Sequence, residues 1–306
     1  MTNTQFYPIG TPGKPWGEIE LSQWRANQSQ QRSYEIDIVP RIEALASSFE
    51  TLTYGQLDYA GERYDLFALR NGSPDPSLPT ALVTGGVHGY ETSGVMGALQ
   101  FLETRAADYV GRVNLLVAPC VSPWAYERIN RWNYNAIDPN RSFYLDSPAG
   151  ECAALMKLVA AQSGLFLLHI DLHETTDSDE SEFRPALAAH DGEDFVPGLV
   201  PDGFYLVDDI ENPQPDFQKA IISGVEQVTH IAPADEDGKI IGSPVVAHGV
   251  IQYPQAKYNM CTSVTGAQFT TTTEVYPDSA HATPQICNDA QVVAVCSALD
   301  SALAKL

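Results

Sequence analysis

The chain has 306 residues, 44% of them hydrophobic and 18% charged, with 17 basic against 39 acidic side chains and a formal net charge of −22. That length allows one large domain or two modest ones with a substantial core. A charge of this sign repels phosphate backbones and argues against nucleic acid as a partner. We read the acidity as a device for solubility, not as a signature of basic substrates. No apolar run approaches a membrane span, and the opening MTNTQFYPIG has neither the basic nor the apolar region of a secretory leader. Five scattered cysteines without a C-x-x-C pair suit a reducing compartment, so the expected location is cytoplasmic, away from membranes.

Residues 1 to about 30 are polar and rich in Pro, Gly and Gln, with Trp16 and Trp24 as anchors onto the main body. Apolar spacing from Ser33 to Phe49 predicts a helix, with Pro40 marking an irregular start or kink. Residues 50–54 and 64–69 alternate and read as paired strands. After the turn-rich 71–79, a short apolar run (81–83) reads as a buried strand broken by Gly85 and Gly86. A helix follows over 91–107, then a strand (113–120), a long polar loop, a helix (151–163) and a strand (165–173). Residues 174–218, acidic and punctuated by five prolines, read as a long surface excursion. Residues 220–229 read as helical and 230–262 as a run of turns. A last strand (268–276) and a closing helix (285–304) complete the chain. Strands alternating with helices predict an α/β fold: a mixed, mostly parallel twisted sheet with helices on both faces. We expect one catalytic domain over 1–306, with about 1–50 forming an N-terminal extension packed on it.

In such sheets ligands sit beyond the carboxyl ends of the strands. Polar residues fall at four of those ends. His88 and Glu91 follow the first buried strand; Arg131, Asp138, Asn140 and Arg141 lie in the loop after the second; His173 ends the third and Glu274 the last. These types suit a hydrolytic zinc site. His88, Glu91 and His173 would supply three ligands to one Zn²⁺ ion and leave a fourth position for water. Glu274 would take and return a proton, and an arginine would stabilise the oxyanion. Asp138 would fix the tautomer of His88 from behind. His169, Asp171 and His173 share one strand face. His190, His230, His248 and His281 fall in turn-rich segments and read as exposed and idle.

The motifs HGYE (88–91), DPNR (138–141), DLH (171–173) and TTEVY (272–276) resemble, in order and as a set, those of the zinc carboxypeptidase A-like family over about residues 80–300. The resemblance implies that family's mixed α/β sheet, one zinc ion and hydrolysis at the C-terminal end of a peptide. It further implies that Asn140 and Arg141 bind the substrate's terminal carboxylate, that the oxyanion arginine is Arg131 with Arg128 as runner-up, and that the mobile tyrosine is Tyr253 or, less favoured by spacing, Tyr258. The substrate side-chain pocket would lie around 253–264, which contains Lys257 but no acid. Glu174, where the family often has a small residue, reads either as the start of a solvated acidic loop or as a selector for a basic substrate group. DLHETT (171–176) also resembles the matching segment of aspartoacylase and succinylglutamate desuccinylase, which implies an acyl-amino-acid substrate for the same ligands and base. The D-x-N-R spacing and the late Glu274 lean towards the carboxypeptidase side.

Overall fold

The computed structural model describes residues 7–306; the opening residues 1–6, read above as the start of the N-terminal extension, lie outside the described residues. The arm carries a helix, α1 (Glu18–Ala26), that the polar composition does not announce. Where one helix is expected over 33–49 there are two short ones, α2 (Tyr34–Asp37) and α3 (Val39–Ala44). Pro40 lies in the first turn of the second, where a missing N–H costs no helical bond. Trp24 is buried, its ring centroid 5.6 Å from that of Trp132 and 6.2 Å from that of Trp124.

Next comes a hairpin of β1 (Glu50–Tyr59) and β2 (Glu62–Arg70), then β3 (Thr80–Gly85), α4 (Thr92–Thr104) and β4 (Asn114–Ala118). The long polar loop after β4 holds a short helix, α5 (Pro123–Arg128). Then follow α6 (Gly150–Ala160), β5 (Phe166–Glu174), α7 (Arg184–Asp191), β6 (Tyr205–Asp209) and α8 (Pro215–Val225). A two-residue pair, β7 (Lys239–Ile240) and β8 (Ser243–Pro244), precedes β9 (Val250–Tyr253), β10 (Phe269–Val275) and α9 (Pro284–Leu303).

Eight strands form one sheet in the order β1-β2-β4-β3-β5-β10-β6-β9. The central four, β4-β3-β5-β10, run parallel, while β2 joins β4 and β6 joins β10 antiparallel. The surface excursion expected over 174–218 is therefore interrupted: β6 is a buried interior strand, and β9 lies at the sheet edge within the stretch read as turns.

Alternation along the strands assigns the two faces. Ala81 and Val83 pack with Val95, Leu99 and the α9 residues Val295 and Leu299, whereas Leu82 packs with Leu116 and Leu155 of α6 on the other side. The threonine run of β10 follows the same rule. Thr271 and Thr273 donate to Gln218 and Gln291 of α8 and α9 at 2.7 and 2.6 Å, which turns Glu274 to the opposite face. The carboxyl ends of β3, β4, β5 and β10 thus share one rim. No helix among the described residues is long and apolar enough to cross a membrane.

Candidate active site

Gly86, with φ +62, turns the chain at the end of β3 in a backbone region that costs glycine little. The turn delivers His88 and Glu91 to the rim, and β5 delivers His173. All three are buried, and among the described residues they form a group whose ligand atoms lie within 4.8 Å of one another. His88 Nδ1 is 2.7 Å from Glu91 Oε1, and His173 Nδ1 is 2.7 Å from Glu91 Oε2. The second oxygen is a buried acceptor without an aligned hydrogen-bond donor.

The far nitrogen of each histidine faces a carboxylate: His88 Nε2 lies 2.9 Å from Asp138 Oδ1, and His173 Nε2 lies 2.6 Å from Asp171 Oδ2. A carboxylate can only accept, so both Nε2 atoms carry hydrogen and both Nδ1 lone pairs point inward. Two imidazoles and a carboxylate so arranged fit a zinc ion. Burial opposes charge on Glu91, yet His173 and His88 pull its carboxyl down to about 2. Asp171, which also accepts from Thr84 Oγ1 at 2.6 Å, is a partner that alternation put on the right face but did not single out.

The loop after β4 sends its two arginines in opposite directions. Ile129, between them, has φ +51, a left-handed conformation that a β-branched residue rarely adopts. Arg128 turns back into the body, donating to Glu62, Glu127 and the Tyr64 hydroxyl. Arg131 lines the cavity, its Nε donating to Asp138 Oδ2 at 3.1 Å and its Nη1 reaching the Tyr90 hydroxyl at 3.2 Å and Asp179 Oδ1 at 3.4 Å. Burial works against its charge, but Asp138, Tyr90 and Asp179 outweigh that and keep it protonated. Tyr90 also donates to Asp179 at 2.9 Å. Neither Tyr90 nor Asp179 carries a sequence signal for this contact.

The cavity holds about 430 Å³ and is lined by His88, Arg131, Asn140, Arg141, Tyr253 and Glu274 among others. Asn140 accepts from the Cys261 N–H at 2.8 Å, and its Nδ2 sits 3.4 Å from His173 Nε2, a nitrogen committed to Asp171, so its amide hydrogens stay free. Arg141 donates one Nη1 hydrogen to the Asn140 carbonyl at 2.7 Å. Tyr253 faces the cavity; Tyr258, exposed outside it, packs edge-on against Tyr253 and under the Arg141 guanidinium. Lys257 is exposed.

Glu274 Oε2 accepts from Thr175 Oγ1 at 2.9 Å, and Thr175 Oγ1 is 2.7 Å from the Tyr205 hydroxyl. Its carboxylate is crowded by neighbouring atoms, and this burial pushes it up to about 8, with His173 pulling the other way and Glu91 adding to the rise.

Glu174 is not the start of a solvated loop, although it lines the cavity. It is buried and accepts from the Thr92 and Ser93 N–H groups at 2.9 and 2.8 Å, capping α4. The N-cap residue of α4 is Glu91 itself, whose carboxylate is turned to the two histidines. The orphan N–H groups of the first turn therefore need an acceptor from elsewhere. His190 is not idle either: half-buried, it packs its ring against Trp16 and Trp132.

No family model and no curated protein sequence matches this chain. Solved structures do. The fold is that of the metallo-carboxypeptidases. A putative metallopeptidase from Shewanella amazonensis aligns with a TM-score of 0.63 at 20% identity, over 90% of this chain and 98% of its own. A counterpart from Shewanella denitrificans gives 0.61 at 20%, over 87% and 90%. A metallo-carboxypeptidase from Pseudomonas aeruginosa gives 0.57 at 13%, over 87% and 68%.

Proposed function

We propose that this chain is a zinc-dependent carboxypeptidase that hydrolyses the C-terminal amide bond of a peptide or peptide-like substrate. One observation carries the reading: a buried His/Glu/His cluster, two arginines and a glutamate, drawn from four separate strand ends, meet around a single cavity.

His88, Glu91 and His173 would hold a zinc ion, which would supply Lewis acidity to lower the pKa of a water towards about 7 and to polarise the scissile carbonyl. Glu274 takes the water's proton and passes it to the leaving amine. Its second oxygen is free for this, since Thr175 bonds only the first, and a pKa raised by burial suits a group that must both accept and release a proton near neutrality. Arg131 faces the developing oxyanion with Nη2, while Asp138, Tyr90 and Asp179 hold the rest of its guanidinium still. Arg141 pairs with the terminal carboxylate, the free amide hydrogens of Asn140 add to that grip, and Tyr253 covers the bound end. Five buried, unpaired cysteines support a reducing, cytoplasmic setting.

Deacylation of an N-acyl amino acid would use the same ligands and base, so the test is the substrate. A panel of C-terminally varied acyl-dipeptides is set against acetyl- and succinyl-amino acids, each with and without a chelator. The reading predicts release of C-terminal amino acids that stops with chelator and returns with zinc. Turnover of the acyl-amino acids alone would replace the substrate class, and turnover indifferent to chelator would overturn the mechanism.

A further inference from the structure

A half-buried cation close to the site plays no part in the cavity's chemistry. Arg32, on the N-terminal arm, donates from each of its three guanidinium nitrogens to the metal-binding turn and the helix beside it. Nη2 donates to the Gly89 carbonyl, Nη1 to Thr92 Oγ1 at 2.8 Å, and Nε to the Tyr126 carbonyl at 2.6 Å, while the plane stacks on the Tyr126 ring with 3.7 Å from the guanidinium carbon to the ring centroid. Gly89 lies between the ligands His88 and Glu91, and Thr92 directly follows Glu91. Tyr126 belongs to α5, five residues before Arg131.

The turn rests directly on that helix: a Cβ at Gly89 would overlap the Ala125–Tyr126 peptide. Tyr90 N–H adds a bond to the Asn130 carbonyl at 3.1 Å. The arm in turn is pinned where Arg32 leaves it. Gln31 and Arg32 N–H groups donate to the Glu127 carbonyl, Gln31 Nε2 to the Arg128 carbonyl, and Tyr34 N–H to Glu127 Oε1 at 2.9 Å.

We propose that Arg32 is a positioning residue for the metal centre: the arm uses its planar fork to hold the His88–Glu91 turn against the loop that carries Arg131. The inference rests on the metal-binding reading of His88, Glu91 and His173. A ligand pair on a three-residue turn loses preorganisation when the turn can relax, and groups that orient ligands from behind typically govern about 10–100-fold in metal affinity. Lysine keeps the charge but cannot reach three diverging acceptors at once.

The experiment is a zinc affinity measurement by competition with a chromophoric chelator, on the full chain, for wild type, Arg32→Ala, Arg32→Lys and Arg25→Ala. Arg25 is the control, an arm arginine that stacks on Tyr134 at 4.8 Å. Arg32→Ala should bind zinc about 10–100-fold more weakly, with part of the loss restored by low-millimolar guanidinium ion. Arg32→Lys should fall between it and wild type, and Arg25→Ala should stay within about twofold of wild type. A folded Arg32→Ala within about twofold of wild type overturns the role of Arg32. Should Arg32→Ala fail to fold by circular dichroism, Arg32→Lys decides by the same criterion. Wild-type protein that takes up no zinc would overturn the metal reading itself, a result distinct from unchanged affinity in the variants.

Discussion

Asp138 is the residue on which the site's electrostatics turn, and Asp138→Asn separates its two duties. Oδ1 accepts from the Asn140 N–H at 2.9 Å and faces His88 Nε2 at 2.9 Å, while Oδ2 accepts from Arg131 Nε at 3.1 Å. An amide has one acceptor and one donor end. Its oxygen goes where two donors meet, beside His88 and Asn140, which leaves the NH2 group against the Arg131 Nε–H, donor to donor. His88 therefore keeps its tautomer but loses a charged partner, and zinc affinity should fall about tenfold, the low end for such contacts. Arg131 loses a charge-assisted bond worth about 1.5–3 kcal/mol and keeps only its longer contacts to Tyr90 and Asp179. A displaced oxyanion donor costs about 10²–10³-fold, and the residual contacts put the expected fall in kcat/KM near the lower figure, about 10²-fold. The assay is kcat/KM on the preferred peptide at saturating zinc, paired with zinc affinity by chelator competition. A variant within about threefold of wild type on both counts would refute the argument that Asp138 couples the metal ligand to the arginine.

Three further outcomes follow from the geometry. Glu274→Gln should retain zinc and lose about 10²–10⁴-fold in kcat, read by steady-state kinetics beside metal analysis. His169, buried beside Thr84 and Asp171, is pushed by burial from 6.5 down to about 4. The unfolded chain thus takes up this proton first, so the contribution to stability is full above pH 6.5 and is lost as pH falls towards 4, about 3 kcal/mol when complete. Urea midpoints against pH should show that window in wild type and a shallower one in His169→Asn. Ile129→Gly should leave stability unchanged or raise it by about 1 kcal/mol, because it removes a left-handed β-branched residue; a loss of Tm would show that the Ile129 side chain matters more than its backbone.

Much of the fold is legible in the sequence, for a physical reason. The strands β3, β4, β5 and β10 are buried on both faces, so they appear as apolar or threonine-rich runs, and the polar residues that end or follow each run mark the rim. The elements that escape are those whose burial comes from partners distant in sequence. Tyr205–Asp209 is a five-residue strand between prolines and acids, and only its neighbours β10 and β9 make it interior. Glu174 looks like the first residue of a solvated loop until the helix whose N-cap is Glu91 comes to lie beside it. Arg32 sits in a polar stretch with no periodicity, and three backbone and side-chain acceptors between 89 and 126 give it its place. Arg128 and Arg131 are indistinguishable by type and separated by three positions; the left-handed turn at Ile129 sorts them.

The central claim is that His88, Glu91 and His173 hold one metal ion. Its most direct test is the zinc content of wild-type protein and of a His88→Ala/His173→Ala double variant after dialysis against the same zinc buffer. The account predicts one ion per wild-type chain and none in the variant. An equal zinc content in the two proteins, or none in either, would contradict it.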